Sequence, residues 1–335
     1  MNNLAELLFT GLGCLILITI FTLVAASCYF YSVSIKRSSK DFLYNNKDLP
    51  HIKSKKSDFT QNTNTLTAGG QTTPAVKSGV EWAKNQDYET WQMTSEDGLK
   101  LVGYYIPAKA ATTKTAVLAH GYSGKWVDVG SFARFYYEGL GYNVFMPDNR
   151  GHGQSEGNYI GFGWPDRKDY LQWIQKVIGR IGTDAQIVLH GISMGGATVM
   201  MVSGENVPEQ VKAVIEDCGY TSVYDELSYQ LKRMYKLPDF PLMPLTSILT
   251  RIMAGYSFYE ASALKQIRKN KLPMLFIHGD EDTFVPIEMV WKLYEVCKTE
   301  KEIYIVTGAG HGMAYQTNET EYEKKAAHFV GRYIS

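Results

Sequence analysis

The chain changes character twice along its length. Positions 7–31 carry no charged residue across 25 positions, the next forty or so are polar, and from about residue 86 short apolar runs alternate with amphipathic stretches. In that last part, runs at 88–93, 99–106, 115–119, 143–146, 186–189, 211–215, 274–277 and 302–306 are rich in β-branched and aromatic residues, which predicts eight strands. Ser95-Glu96-Asp97-Gly98 supplies a hairpin turn between the first two. Several later runs are apolar at consecutive positions, as strands covered on both faces are. Segments with helical periodicity, at 127–138, 166–178, 194–202, 287–296 and 319–333, fall between or after them. This alternation predicts an α/β class, with a mostly parallel eight-stranded sheet flanked by helices.

One interval breaks the rhythm. Between Asp217 and Met274 the chain is rich in Tyr, Leu and Met, with Pro238, Pro241 and Pro244 in its middle. A structureless loop of that length is uncommon in a compact domain, so a helical cap at about 218–272, inserted after the sixth strand, is expected. A packing subdomain with no part in binding is the alternative.

As a helix the apolar stretch at 7–31 is about 37 Å long, enough to cross a hydrocarbon layer of about 30 Å. It is apolar on all sides, with Tyr29 and Tyr31 near one end, so one transmembrane helix over 1–35 is expected. A cleaved signal peptide is the rival. No Lys or Arg precedes the run, however, and Ala25-Ala26-Ser27-Cys28 lacks the large aliphatic residue of a lipoprotein cleavage box. Lys36, Arg37 and Lys40 follow the span and only Glu6 precedes it as a charge, which favours a cytoplasmic location for the large C-terminal part. The Ser/Thr/Asn-rich stretch at 54–79 reads as flexible linker, within a polar spacer over 36–85, and equally suits a C-terminal part at the cell surface.

Lys and Arg number 34, as do Asp and Glu, so no net charge draws the chain to nucleic acid. Cys14, Cys28, Cys218 and Cys297 form no CxxC pair, and neither a disulfide scaffold nor a zinc site is expected. No metal or organic cofactor motif is present.

The chemistry is concentrated in the later loops. Gly191-Ile192-Ser193-Met194-Gly195 lies between a predicted strand and a predicted helix. A serine on so tight a turn is forced into a sparsely allowed conformation, its flanking glycines remove colliding side chains, and its hydroxyl stands at the sheet's carboxyl edge. A hydroxyl needs a base. Of His51, His120, His152, His190, His278, His311 and His328, the choice is His311, in a Gly-rich loop after the last strand. His51 belongs to the spacer, His152 to a loop surface and His328 to an exposed helix. Asp282, furthest into the loop after the seventh strand, is the expected carboxylate partner, with Asp217 in reserve. Backbone N–H groups of Tyr122 and Met194 are the expected oxyanion donors, and His120 is expected to position the first of these loops. Asp148 and Arg150 are expected to pair with each other.

Together, His120-Gly-Tyr, Asp148-x-Arg-Gly-x-Gly-x-Ser, Gly191-x-Ser-Met-Gly-Gly, His278-Gly-x-x-Asp282-x-x-Val-Pro and Gly310-His311-Gly resemble the α/β-hydrolase superfamily. Within it the chain resembles membrane-anchored or cell-surface serine hydrolases of Gram-positive bacteria, grouped with serine aminopeptidase-like and monoglyceride-lipase-like enzymes. The resemblance covers about 88–335. It implies the α/β-hydrolase fold, Ser193 as nucleophile, Asp282 as acid, His311 as base and a cap in the long insertion.

The expected activity is hydrolysis of a small-molecule carboxylic ester, with lipid-like esters suiting the tether and the apolar cap. A peptidase or amidase on the same triad is the first rival, and Glu226 and Glu260 in the cap are the carboxylates it would use to hold an amine. A non-catalytic, membrane-tethered binding protein is the second. Oligomeric state has no signal in the sequence.

Overall fold

In a computed structural model of the chain the described residues are 2–38, 40 and 74–335. Most of the expected 54–79 linker, together with His51, lies outside them.

The apolar N-terminal stretch forms α1 (Asn2–Ser34). Its segment Leu8–Ser34 is long and apolar enough to cross a membrane. Hydroxyls of Thr10, Thr19 and Thr22 donate to carbonyls four residues back at 2.7–2.9 Å, as a helix in hydrocarbon requires.

The sheet has eight strands: β1 (Glu89–Thr94), β2 (Lys100–Ile106), β3 (Lys114–Ala119), β4 (Asn143–Pro147), β5 (Gln186–Ile192), β6 (Val211–Asp217), β7 (Met274–Gly279) and β8 (Lys301–Val306). Their spatial order is β1-β2-β4-β3-β5-β6-β7-β8. β2 runs antiparallel to β1 and β4, and every other pair is parallel. Alternate side chains feed two cores, one on each face. Val117, Phe145 and Leu189 pack on one side with Trp173, while Ala116, Val144 and Val188 pack on the other with Phe132 and Tyr322. The strand order reverses beside β3 and β5, where chain crossings open a crevice at the carboxyl edge.

Around the sheet lie α2 (Pro74–Lys84), α3 (Gly130–Arg134), α4 (Asp166–Ile181), α5 (Met194–Ser203), α9 (Glu288–Val296), α10 (Ala314–Thr317) and α11 (Glu319–Gly331). Between β6 and β7 the cap contributes α6 (Val223–Gln230), α7 (Leu242–Ala254) and α8 (Ala263–Ile267).

Four expectations need correction. The end of the polar spacer is helical: α2 buries Val80 and Ala83, and its Gly79 lies so close to Gly130 that a Cβ on Gly130 would come within 2.2 Å of the Gly79 carbonyl oxygen. The junction of anchor and spacer is docked, since Ile160 N–H donates to Ile35 O at 2.7 Å and Arg37 N–H to Asn158 O at 2.8 Å. The single helix expected at 127–138 is a 3₁₀ turn, then α3, then a wider π turn at Phe135–Gly139. Finally, Arg150 does not pair with Asp148. Its guanidinium holds Asp169 through two 2.7 Å contacts and reaches Asp97 at 2.7 Å, whereas Asp148 accepts from the amides of Trp126 and Gln154. Sequence distance hides this choice: Asp169 reaches Arg150 only because α4 folds back over the loop.

Arg150 and Asp169 are both buried, and without Asp169 the guanidinium keeps only the half-exposed Asp97 as its partner. Asp169→Ala is therefore expected to cost about 1.5–3 kcal/mol, the range for hydrogen bonds to charged groups, read as a lower denaturant midpoint with an unchanged slope.

Candidate active site

Ser193 occupies the turn from β5 into α5 at φ 57° and ψ −117°, a region a side chain rarely enters. Two glycines make the turn possible. A Cβ on Gly191 would lie 2.1 Å from Gly195 O, and one on Gly195 would lie 2.0 Å from Ala119 O. The Ser193 amide is anchored to Asp217 O at 2.7 Å, which ties the turn to the neighbouring strand. The geometry lifts Ser193 Oγ off the sheet edge, where it meets His311 Nε2 at 2.8 Å.

His311 comes from the loop after β8, and its Nδ1 lies 2.7 Å from Asp282 Oδ2. Asp282 is fixed in turn, because its Oδ1 accepts the amides of Phe284 at 2.9 Å and Val285 at 2.8 Å. Three side chains far apart in sequence thus form one hydrogen-bonded line. Burial pulls the His311 imidazole down, but the Asp282 carboxylate, with help from Glu226 and Asp217, outweighs it and leaves its pKa raised. Asp217 points elsewhere, accepting from Tyr322 Oη at 3.0 Å, and burial pushes its carboxyl up to about 7.

Met194 and Tyr122 line the pocket that holds Ser193. The Met194 amide is the first of α5 and has no intrahelical acceptor. The Tyr122 loop is positioned by His120, whose Nε2 accepts the Asn149 amide at 3.0 Å while its Nδ1 lies 2.8 Å from Gly121 O. Burial lowers the pKa of His120, in keeping with a neutral structural ring. His152 departs from expectation: it is buried, with Nε2 accepting from the Ser123 amide at 3.3 Å. His190 is also buried, between the hydroxyls of Tyr136 and Tyr322, and His328 is exposed.

The burial of Glu226 is not legible in the sequence. It is 4% exposed and lines the same pocket; its Oε1 accepts from Gln230 at 2.7 Å, while its Oε2 has no partner among the described residues. Burial pushes its carboxyl up to about 7. Glu260 is not comparable, being paired with Arg251 at 3.0 Å outside the pocket.

Cys218, Asp282 and His311 bring three ligand-type atoms within 4.8 Å of one another. Burial drives the Cys218 thiol well above its usual range, whereas metal binding needs the thiolate, and His311 and Asp282 already share a hydrogen bond. The cluster fits the hydrogen-bonded line better than an ion.

The chain is 29% identical over 233 residues to the protein YqkD of Bacillus subtilis, covering 70% of this chain and 76% of that one. It is 25% identical over 228 residues to the Saccharomyces cerevisiae membrane protein YNL320W, covering 65% and 71%. Among solved structures, the Pyrococcus furiosus esterase Pf2001 superposes with a TM-score of 0.62 at 23% identity, over 82% of this chain and all of that one. The acylaminoacyl peptidase of Pyrococcus horikoshii gives 0.57 at 20% identity, over 75% of this chain and 43% of that one. At such identities these two speak for the fold alone. Residues 130–335, more than half of the chain, match the prolyl oligopeptidase family, and the chain belongs to that family within the α/β-hydrolase superfamily.

Proposed function

We propose that this protein is a membrane-anchored serine hydrolase that cleaves carboxylic esters through an acyl-enzyme on Ser193. The observation that carries the proposal is the Ser193–His311–Asp282 line, with Ser193 in the wall of a pocket lined mostly by apolar side chains. In this reading His311 Nε2 takes the Ser193 proton as Oγ attacks the ester carbonyl. The amides of Tyr122 and Met194 stabilise the oxyanion, and each such donor is typically worth about 2.7–4 kcal/mol in the transition state. His311 returns the proton to the departing alcohol. A water, deprotonated by His311, then attacks the acyl carbon and releases the acid and Ser193. Comparing p-nitrophenyl butyrate with the matching p-nitroanilide tests the substrate class. Faster ester turnover is expected, and a preference for the anilide overturns it.

Glu226 favours a second reading, amide hydrolysis. Its unpartnered Oε2 can accept a hydrogen bond from a substrate amine, and the family's name points the same way. Against it, a carboxyl pushed up to about 7 is a poor permanent counter-ion at neutral pH.

Glu226 also carries a pH prediction. His311 works as a base only when neutral, so activity falls on the acid side through a pKa above the ordinary 6.5. To the extent that Glu226 is ionised over that range, its charge helps hold that pKa up. Glu226→Gln removes a negative charge that favours imidazolium, and the acid limb of kcat/KM is expected to move to lower pH. An unmoved limb contradicts the assigned electrostatics.

Anchoring rests on α1, with the yeast relative's description as a membrane protein in support. Lys36 and Arg37 carry the argument for a cytoplasmic catalytic domain, because Lys40 is turned back onto the end of α1, donating to Val33 O and Lys36 O. Protease treatment of intact cells tests the side: a catalytic domain that survives fits the cytoplasm, and one that is shaved off places it outside.

A further inference from the structure

A helix that served only as a tether would leave the reaction site to the globular domain. The foot of α1 does not behave this way. Phe30, Val33 and Ser34 line the pocket that contains Ser193 and Met194. The Phe30 ring packs on Tyr235 of the cap with centroids 5.4 Å apart. The Tyr122 hydroxyl, on the loop whose amide faces the reacting carbonyl in the proposed mechanism, donates to Ser34 O at 2.8 Å.

The foot is locked from several directions. Arg37 donates to Ser155 O at 2.8 Å and to Gly153 O at 2.9 Å, Ile35 is paired with Ile160, and Lys40 caps the helix's final carbonyls. These contacts span both the loop after β4 and the start of the polar segment, so the wall that α1 supplies is held in one position.

The surroundings of the pocket identify its occupant. Above the foot, α1 presents Leu12, Leu15, Leu17 and Phe21 outward, all exposed. The cap helix α7 packs against α1 and also leaves Ile248, Ile252 and Met253 exposed, with Phe240 just before it 73% exposed. Exposed apolar side chains therefore stand on both the spanning helix and the cap helix packed against it, and the foot of α1 and the cap both line the pocket. Long apolar side chains kept in the open on a membrane-spanning protein fit contact with acyl chains at the bilayer's edge.

We infer that the last turns of α1 are part of the substrate site, that Phe30 and Val33 set the acyl-chain length it accepts, and that its substrates are amphiphilic esters whose hydrocarbon chain is presented at the membrane surface. This rests on the reading of Ser193 as the nucleophile. The anchor then has two tasks: it holds the enzyme at the bilayer and completes the apolar wall that receives the chain.

The test uses the full chain in phosphatidylcholine nanodiscs and p-nitrophenyl esters from acetate to hexadecanoate. Val33→Trp fills the pocket and is expected to lower the dodecanoate-to-acetate ratio of kcat/KM at least tenfold. Phe30→Ala opens it and is expected to raise the hexadecanoate-to-octanoate ratio at least threefold. The changes act in opposite senses, so if one variant fails to fold the other still decides. Ratios that stay within twofold of wild type overturn the inference while leaving the nucleophile reading intact. Wild-type protein that reacts with no fluorophosphonate and turns over no ester overturns the nucleophile reading itself, and with it this one.

Discussion

Ser193→Ala is expected to reduce ester kcat by about a million-fold, the scale seen when a nucleophile is removed from a preorganised triad. The loss is chemical and not a failure to fold. Ser193 holds φ 57° because of the turn and its glycine neighbours, and alanine pays the same backbone cost as serine. Its amide contact to Asp217 O also survives, since it uses the main chain. The thermal midpoint should therefore change little while turnover collapses. What persists should come from binding and the oxyanion donors alone, which can still exceed the reaction in water by about 10³–10⁴. A variant that keeps even a hundredth of wild-type turnover is incompatible with Ser193 as nucleophile.

Asp282→Asn is expected to lower kcat by about 10⁴ with the protein still folded. The direction follows from the hydrogen bonds. Asp282 Oδ1 accepts two amides, from Phe284 and Val285. An asparagine keeps those contacts only by placing its oxygen there, which turns its NH₂ group toward His311 Nδ1. Nδ1 must then accept, the proton moves to Nε2, and Nε2 faces Ser193 as a donor unable to take its proton. The imidazolium also loses the charge that stabilises it. Measuring kcat and KM separately checks this: kcat carries the loss and KM stays within a few-fold. A kcat within tenfold of wild type would mean that Asp282 does not orient His311.

Much of this architecture could be read from local pattern. Strands covered on both faces announce themselves as continuous apolar runs, and β3, β5 and β7 do so, while in β6 Lys212 interrupts the run. The serine turn was legible because the need for glycine at Gly191 and Gly195 is a local steric requirement, written beside Ser193. The approach of Asp282 and His311 followed because both lie in loops at the same edge of adjacent strands, β7 and β8. What escaped the sequence depends on long-range packing. Glu226 sits on a cap helix whose periodicity does not reveal which face covers the pocket. Arg150 could be paired only with knowledge of where α4 runs. The burial of His152 depends on how its loop folds beneath the Tyr122 loop. The apolar composition of α1 makes it long and apolar enough to cross a membrane, but nothing in it distinguishes the last turns, which line the Ser193 pocket, from those before them.

The most direct measurement is the site of a covalent adduct. Folded wild-type protein is treated with a fluorophosphonate, digested and read by mass spectrometry. The phosphonyl group is expected on Ser193 alone, with none on the Ser193→Ala protein and hydrolysis lost in proportion to labelling. Folded protein that stays unmodified at Ser193, or loses activity through an adduct elsewhere, would contradict the account.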